Sequence, residues 1–94
     1  MTFLEFKDSI KSNQPPPGLS IPLIALWYDG KGDWDKAHHE VDQLNDPISA
    51  LIHAYLHRKE GDIWNADYWY RRAREIRPQM PLEEEWQELV IRLL

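Results

Sequence analysis

One segment of this chain repeats itself at a fixed distance. The stretch Ala25-Leu-Trp-Tyr-Asp-Gly-Lys-Gly-Asp-Trp-Asp-Lys-Ala37 lies over Ala54-Tyr-Leu-His-Arg-Lys-Glu-Gly-Asp-Ile-Trp-Asn-Ala66. Gly32, Asp33 and Ala37 recur as Gly61, Asp62 and Ala66, each 29 residues further on. A constant period of this size is the mark of stacked helical hairpins, in which each unit buries its apolar face against the next. It excludes most other architectures, and no alternation of apolar and polar residues speaks for strands.

Start and stop signals divide the rest of the chain. Thr2 and Glu5 fit a capping box ahead of Phe3, Phe6 and Ile10 at helical spacing, predicting a first helix of about ten residues. Pro15, Pro16, Pro17 and Gly18 then form a stiff connector. Ser20 caps a second helix with Pro22 in its first turn, ending near Gly30 and Gly32. Asp33 caps a third through about Leu44. Asp46 and Pro47 open a fourth, which Gly61 closes as a left-handed cap. Asp62 caps a fifth, expected to run until just before Pro78. Pro81 opens a sixth, with Glu83, Glu84 and Glu85 in the dipole-favoured first turn and an apolar stripe of Leu82, Trp86, Leu89, Val90 and Leu93. The expectation is an all-α fold. Residues 1–18 form an N-terminal helix and Pro-rich connector, 19–46 a first hairpin, 47–78 a second hairpin and 79–94 a capping helix, in a single domain.

The second unit carries Ala54, Gly61, Asp62, Ala66, Tyr70, Ala73 and Pro78, and in this it resembles the tetratricopeptide repeat (TPR). That pattern sets a small residue in the leading helix, a Gly-acid turn, then small, large and small positions in the trailing helix and a closing Pro. The first unit shares Ala25, Tyr28, Gly32, Asp33 and Ala37, with Val41 and Leu44 at the later positions, and the 29-residue period is shorter than the usual ~34. The run from His53 through Trp64 and Tyr70 to Ala73, with Ala25 to Asp29 and Gly32 to His38 before it, is also similar to a family of small uncharacterised bacterial proteins. That resemblance implies a TPR-like helical-hairpin fold and no particular activity. The repeat resemblance implies a protein-interaction module.

Overlaying the two units exposes their differences. Ile24 and Tyr28 of the first unit become His53 and His57 in the second. Four residues apart on one helix, the two imidazoles share a face. Glu60 continues that stripe, and Tyr28, Asn65 and Tyr70 are expected nearby, giving a candidate polar site of His53, His57, Glu60, Asn65 and Tyr28. Two histidines and a carboxylate are a familiar ligand set for zinc or iron. The zincin motif is missing, because Ala54 stands where its general base would be. The expectation is a pair of packed histidines hydrogen-bonded within the protein, with no metal and no cofactor; His53, His57 and Glu60 are the residues that would hold a metal ion. His38 and His39 read as a solvent-facing pair, although a third ligand from there is conceivable.

On the fifth helix, Ile63, Ala66, Tyr70 and Ala73 form the expected core stripe. Trp64 and Tyr68 fall on the opposite side with Arg71 and Arg72. Aromatics flanked by arginine are the material of interface hot spots, and these four residues are the candidate interface. The last helix could instead fold back over them.

Composition removes several functions. A net charge of −5 opposes a general phosphate-binding role, so the run Arg71, Arg72, Arg74 and Arg77 reads as a solvated face and no nucleic acid is expected. With no Cys there is neither a disulfide framework nor a thiolate site. Ser9, Ser12, Ser20 and Ser49 stand in no nucleophile elbow. Asp29, Asp33 and Asp35 begin a calcium-loop spacing that Val41 and Leu44 leave unfinished. No apolar run approaches the ~20 residues that span a bilayer. The reading is a cytoplasmic, non-catalytic interaction module whose partner is a protein, a peptide or a second copy of itself. The alternative is a small-molecule or metal-binding protein, catalytic or not, built on His53, His57 and Glu60.

Overall fold

The computed structural model describes residues 1–94 and is all-helical, without strands. Its six helices are α1 (Phe3–Ser9), α2 (Ile21–Gly30), α3 (Trp34–Val41), α4 (Pro47–Lys59), α5 (Ile63–Arg72) and α6 (Leu82–Leu93). Side-chain oxygens of Thr2, Ser20, Asp33, Asp46 and Asp62 each accept a backbone N–H at the start of their helix, and Thr2 with Glu5 closes a full capping box. Gly32 and Gly61 adopt φ of 92° and 88° in the turns after α2 and α4, the left-handed conformation that lets the chain reverse at once into the next helix.

Two helix ends differ from expectation. α5 stops at Arg72, well short of Pro78, because Arg74 turns left-handed at φ 61°. The Glu75 N–H then reaches the Tyr70 carbonyl and the Arg74 N–H the Arg71 carbonyl, which closes the helix from within. α3 stops at Val41 rather than Leu44, and Asp42 serves as its C-cap.

α4 is the central element. It packs on α5, α3, α2 and α6, and every residue from Ser49 to His57 is buried. α2 pairs with α3, and α6 lies across α2, α4 and α1. The core around it includes Phe6, Leu26, Trp27, Ile52, Leu56 and Val90. Ile63 does not join the expected α5 stripe: it is surface-exposed, while Ala66, Tyr70 and Ala73 are buried.

Two buried carboxylates tie the layers together. Asp29 of α2 accepts from the Tyr55 hydroxyl at 2.7 Å and from Lys59 Nζ at 2.8 Å, both on α4. Glu85 of α6 accepts from the Tyr70 hydroxyl at 2.5 Å and from Arg58 Nη1 at 2.7 Å, and Arg58 also donates to the Met80 carbonyl. Burial, aided by the adjoining carboxylates, raises both tyrosine pKa values, so each phenol stays a donor. With every charge paired, these contacts satisfy polar groups that would be costly to bury alone.

Candidate metal centre

His53 and His57 lie one turn apart on the face of α4 that meets α3 and α5, and both are buried. Their rings stack with centroids 4.8 Å apart. From α3, His38 enters the same space. Its Nε2 stands 3.0 Å from His53 Nε2, and its ring makes edge contacts with both α4 imidazoles. One ligand nitrogen from each of the three histidines lies within 4.8 Å of the others. The expected solvent-facing pair therefore splits: His39 is exposed, whereas His38 turns inward. Ala37 and Val41 on the same helix are fully buried, and they set the α3 face beside His38 against the core.

Aromatic rings fix the planes of the imidazoles. Trp34, one turn before His38, stacks on it at 4.9 Å with planes 8° apart, and its Nε1 donates to the Leu56 carbonyl at 2.7 Å. Trp69 of α5 stacks on His53 at 4.0 Å and 18°. His38 is thus held by a ring of its own helix that is anchored on α4, and His53 by a ring of α5.

Carboxylates stand outside the trio. Glu60 Oε1 lies 2.6 Å from His57 Nδ1, which leaves His57 Nε2 as the ring nitrogen free of a carboxylate. Glu60 thus contacts His57 from outside the trio, and with His57 and Asp62 it forms a second, more exposed group of ligand atoms within 4.8 Å of one another. Asp42 Oδ2 is 4.0 Å from His38 Nδ1. Asn65 Nδ2 approaches His57 Nε2 at 3.4 Å. Tyr28 takes no part in these contacts: its ring meets Trp27 edge-on and lies under the Lys36 ammonium.

Electrostatics keep two of the rings neutral. Burial, reinforced by the neighbouring histidines, pushes the His53 pKa down to about 4. Burial also lowers that of His38, with His57 contributing and Asp42 and Glu60 opposing. Neutral imidazole is the form that binds metals. His38 and His57 both sit in the last turn of their helices, where the partial negative charge of the helix end favours a cation. Two buried side-chain polar atoms lack a hydrogen-bond partner, His53 Nδ1 and Asp42 Oδ1, and both belong to this cluster. Native proteins leave few such atoms, and their concentration here marks a site whose polar groups are incompletely satisfied within the chain.

The candidate interface lies on the outer face of α5. Trp64 is 79% exposed. Tyr68 is at the surface, and Arg72 covers its ring, donates to its hydroxyl at 3.1 Å and also overlies Trp69. Arg71 is exposed. No helix is long and apolar enough to cross a membrane. Comparison with protein-family models, with curated proteins and with solved structures found no match to this chain.

Sequence reasoning located His53, His57, Glu60 and Asn65 but missed Trp34, Trp69, Asp42 and the inward turn of His38. One signal was present. Trp34, His38 and Asp42 recur every four residues, so they share one side of α3 and frame a polar stripe next to the buried Ala37 and Val41.

Proposed function

We propose that this protein binds one divalent transition-metal ion through His38, His53 and His57. The observation that carries the reading is the convergence of three imidazoles from two helices, with ligand nitrogens within 4.8 Å of one another. Tetrahedral metal–nitrogen bonds of about 2.0–2.1 Å set ligand nitrogens about 3.3 Å apart. The 3.0 Å between His38 Nε2 and His53 Nε2 needs only a small spreading of the rings. Glu60 on His57 Nδ1 supplies the outer carboxylate that commonly orients a metal-bound histidine, and Asp42 is placed to do the same for His38. An all-imidazole donor set suits zinc, copper, nickel or cobalt and does not suit magnesium or calcium. Equilibrium titration of tag-free, chelator-stripped protein with zinc tests the reading. One ion per chain is expected, and His38→Gln and His53→Gln should each weaken binding by more than the roughly 10–100-fold that outer-sphere partners cost. Binding that survives both substitutions sinks it.

A second reading is favoured by Trp64, whose indole is exposed on a helix that also exposes Tyr68, Arg71 and Arg72. In this reading the α2–α3 and α4–α5 pairs are TPR-like hairpins of an interaction module, and the partner is a second copy of the chain. The exposed Glu83, Glu84 and Glu88 of α6 offer charge complementary to the arginines of α5. Sedimentation equilibrium should then show a dimer that weakens with salt and with Trp64→Ala. A monomer at every concentration up to the millimolar range removes it.

A further inference from the structure

We infer that the metal in this site keeps a fourth, exchangeable coordination position beside Asn65, which takes water or a small monoanion. The inference rests on the three-histidine reading and extends it from binding to reactivity.

The argument begins with the number of donors. Structural zinc sites are closed by four protein ligands, whereas sites that react with or exchange ligands keep three and leave one position open. The trio contributes three nitrogens. Glu60 is held on the opposite nitrogen of His57, at Nδ1, and points away from a metal at Nε2. Asp42 faces His38 from its Nδ1 side in the same manner. Trp34 and Trp69 lie flat against His38 and His53 and bring no donor to the centre. The two outer carboxylates therefore balance the charge of the ion without entering its coordination shell.

Asp62 stands with Glu60 at the exposed end of His57, where its carboxylate caps α5 by accepting from the Asn65 backbone N–H, and Asn65 is the polar side chain that meets His57 Nε2. Its Nδ2 lies 3.4 Å from His57 Nε2, a long hydrogen-bond contact at the edge of the three-histidine space. Its amide nitrogen now approaches the lone pair of Nε2. A metal on Nε2 uses that lone pair, so the Asn65 N–H must find another acceptor. A water oxygen or an anion at the open position would be such an acceptor. Asn65 and His38 both lie at the rim of the site: Asn65 is half-buried and the His38 side chain is 26% exposed. An ion whose charge is offset only from behind, met by an N–H donor in front, favours a small acceptor of negative charge over a cation or a neutral donor.

Cobalt(II) in place of zinc reports its coordination shell through visible d–d absorption. Azide added to the cobalt-loaded full-length protein should shift those bands to a saturating end point of one azide per cobalt. Asn65→Ala should weaken azide binding about tenfold or more, the effect of one hydrogen bond to a charged group, while cobalt affinity changes less than about threefold. Bands that do not respond to azide in the wild-type protein overturn the inference, because they report a closed shell. So does an Asn65→Ala variant that loses cobalt as severely as a histidine variant, since Asn65 would then be the fourth ligand through its Oδ1. Wild-type protein that takes up no cobalt at all fails earlier, at the three-histidine site itself, and the exchangeable position falls with it.

Discussion

His38 and His53 share one hydrogen bond, and a proton on either would meet two neighbouring rings and little water. Burial is the dominant reason His53 resists protonation, and the adjacent histidines add to it. The consequence for stability has a definite sign. In the metal-free protein the folded-state pKa of His53 is about 4, below the unfolded value of 6.5, so the unfolded chain binds the proton more readily. Stability from this residue is fully present above about pH 6.5 and is lost as the pH falls towards 4, at most about 3 kcal/mol in all. Urea unfolding in the presence of chelator, at pH 7.5 and at pH 5, should show this loss, and His53→Phe should reduce it. Asp42 makes a second prediction at this scale. Its unpartnered Oδ1 and its 4.0 Å approach to His38 Nδ1 place it to accept from that ring once Nε2 is bound to metal. Asp42→Asn should lower zinc affinity about 10–100-fold by calorimetric titration and leave the unfolding midpoint of the metal-free protein nearly unchanged.

Helix α4 connects the site to the rest of the molecule. Its one face holds His53 and His57, and another holds Tyr55, which reaches α2 through Asp29. Tyr55→Phe would leave the buried Asp29 with Lys59 alone, at a cost of about 1–3 kcal/mol that denaturant unfolding can measure. Zinc affinity should stay within a few-fold of wild type, because the lost bond lies on the α2 side. The caps of five helices were legible in the sequence because capping is local: Thr2, Ser20, Asp33, Asp46 and Asp62 bond to N–H groups three residues away. The end of α5 was not, since a left-handed Arg74 has no distinctive residue type, whereas glycine in the same conformation does. His38 was missed for a different reason. Its partners are 15 and 19 residues away, and their meeting depends on how α3 crosses α4, which the helical period of either segment does not encode.

At the scale of the whole molecule, a chain of 94 residues with 18 apolar residues in its core has little room for unsatisfied polar groups. It pairs the buried carboxylates Asp29 and Glu85 fully, and it leaves its two orphaned buried side-chain atoms in one place. The 29-residue repeat explains this distribution: the α2 slots Ile24 and Tyr28 become imidazoles in α4, and the neighbouring helices supply the flanking rings and carboxylates. The most direct test is nitrogen-detected NMR of the histidine side chains during a zinc titration. At one equivalent of zinc, one ring nitrogen each of His38, His53 and His57 should move to the shift of metal-bound imidazole while the exposed His39 stays in place. Ring nitrogens of the trio that do not move, or a response from His39 alone, would contradict the metal centre.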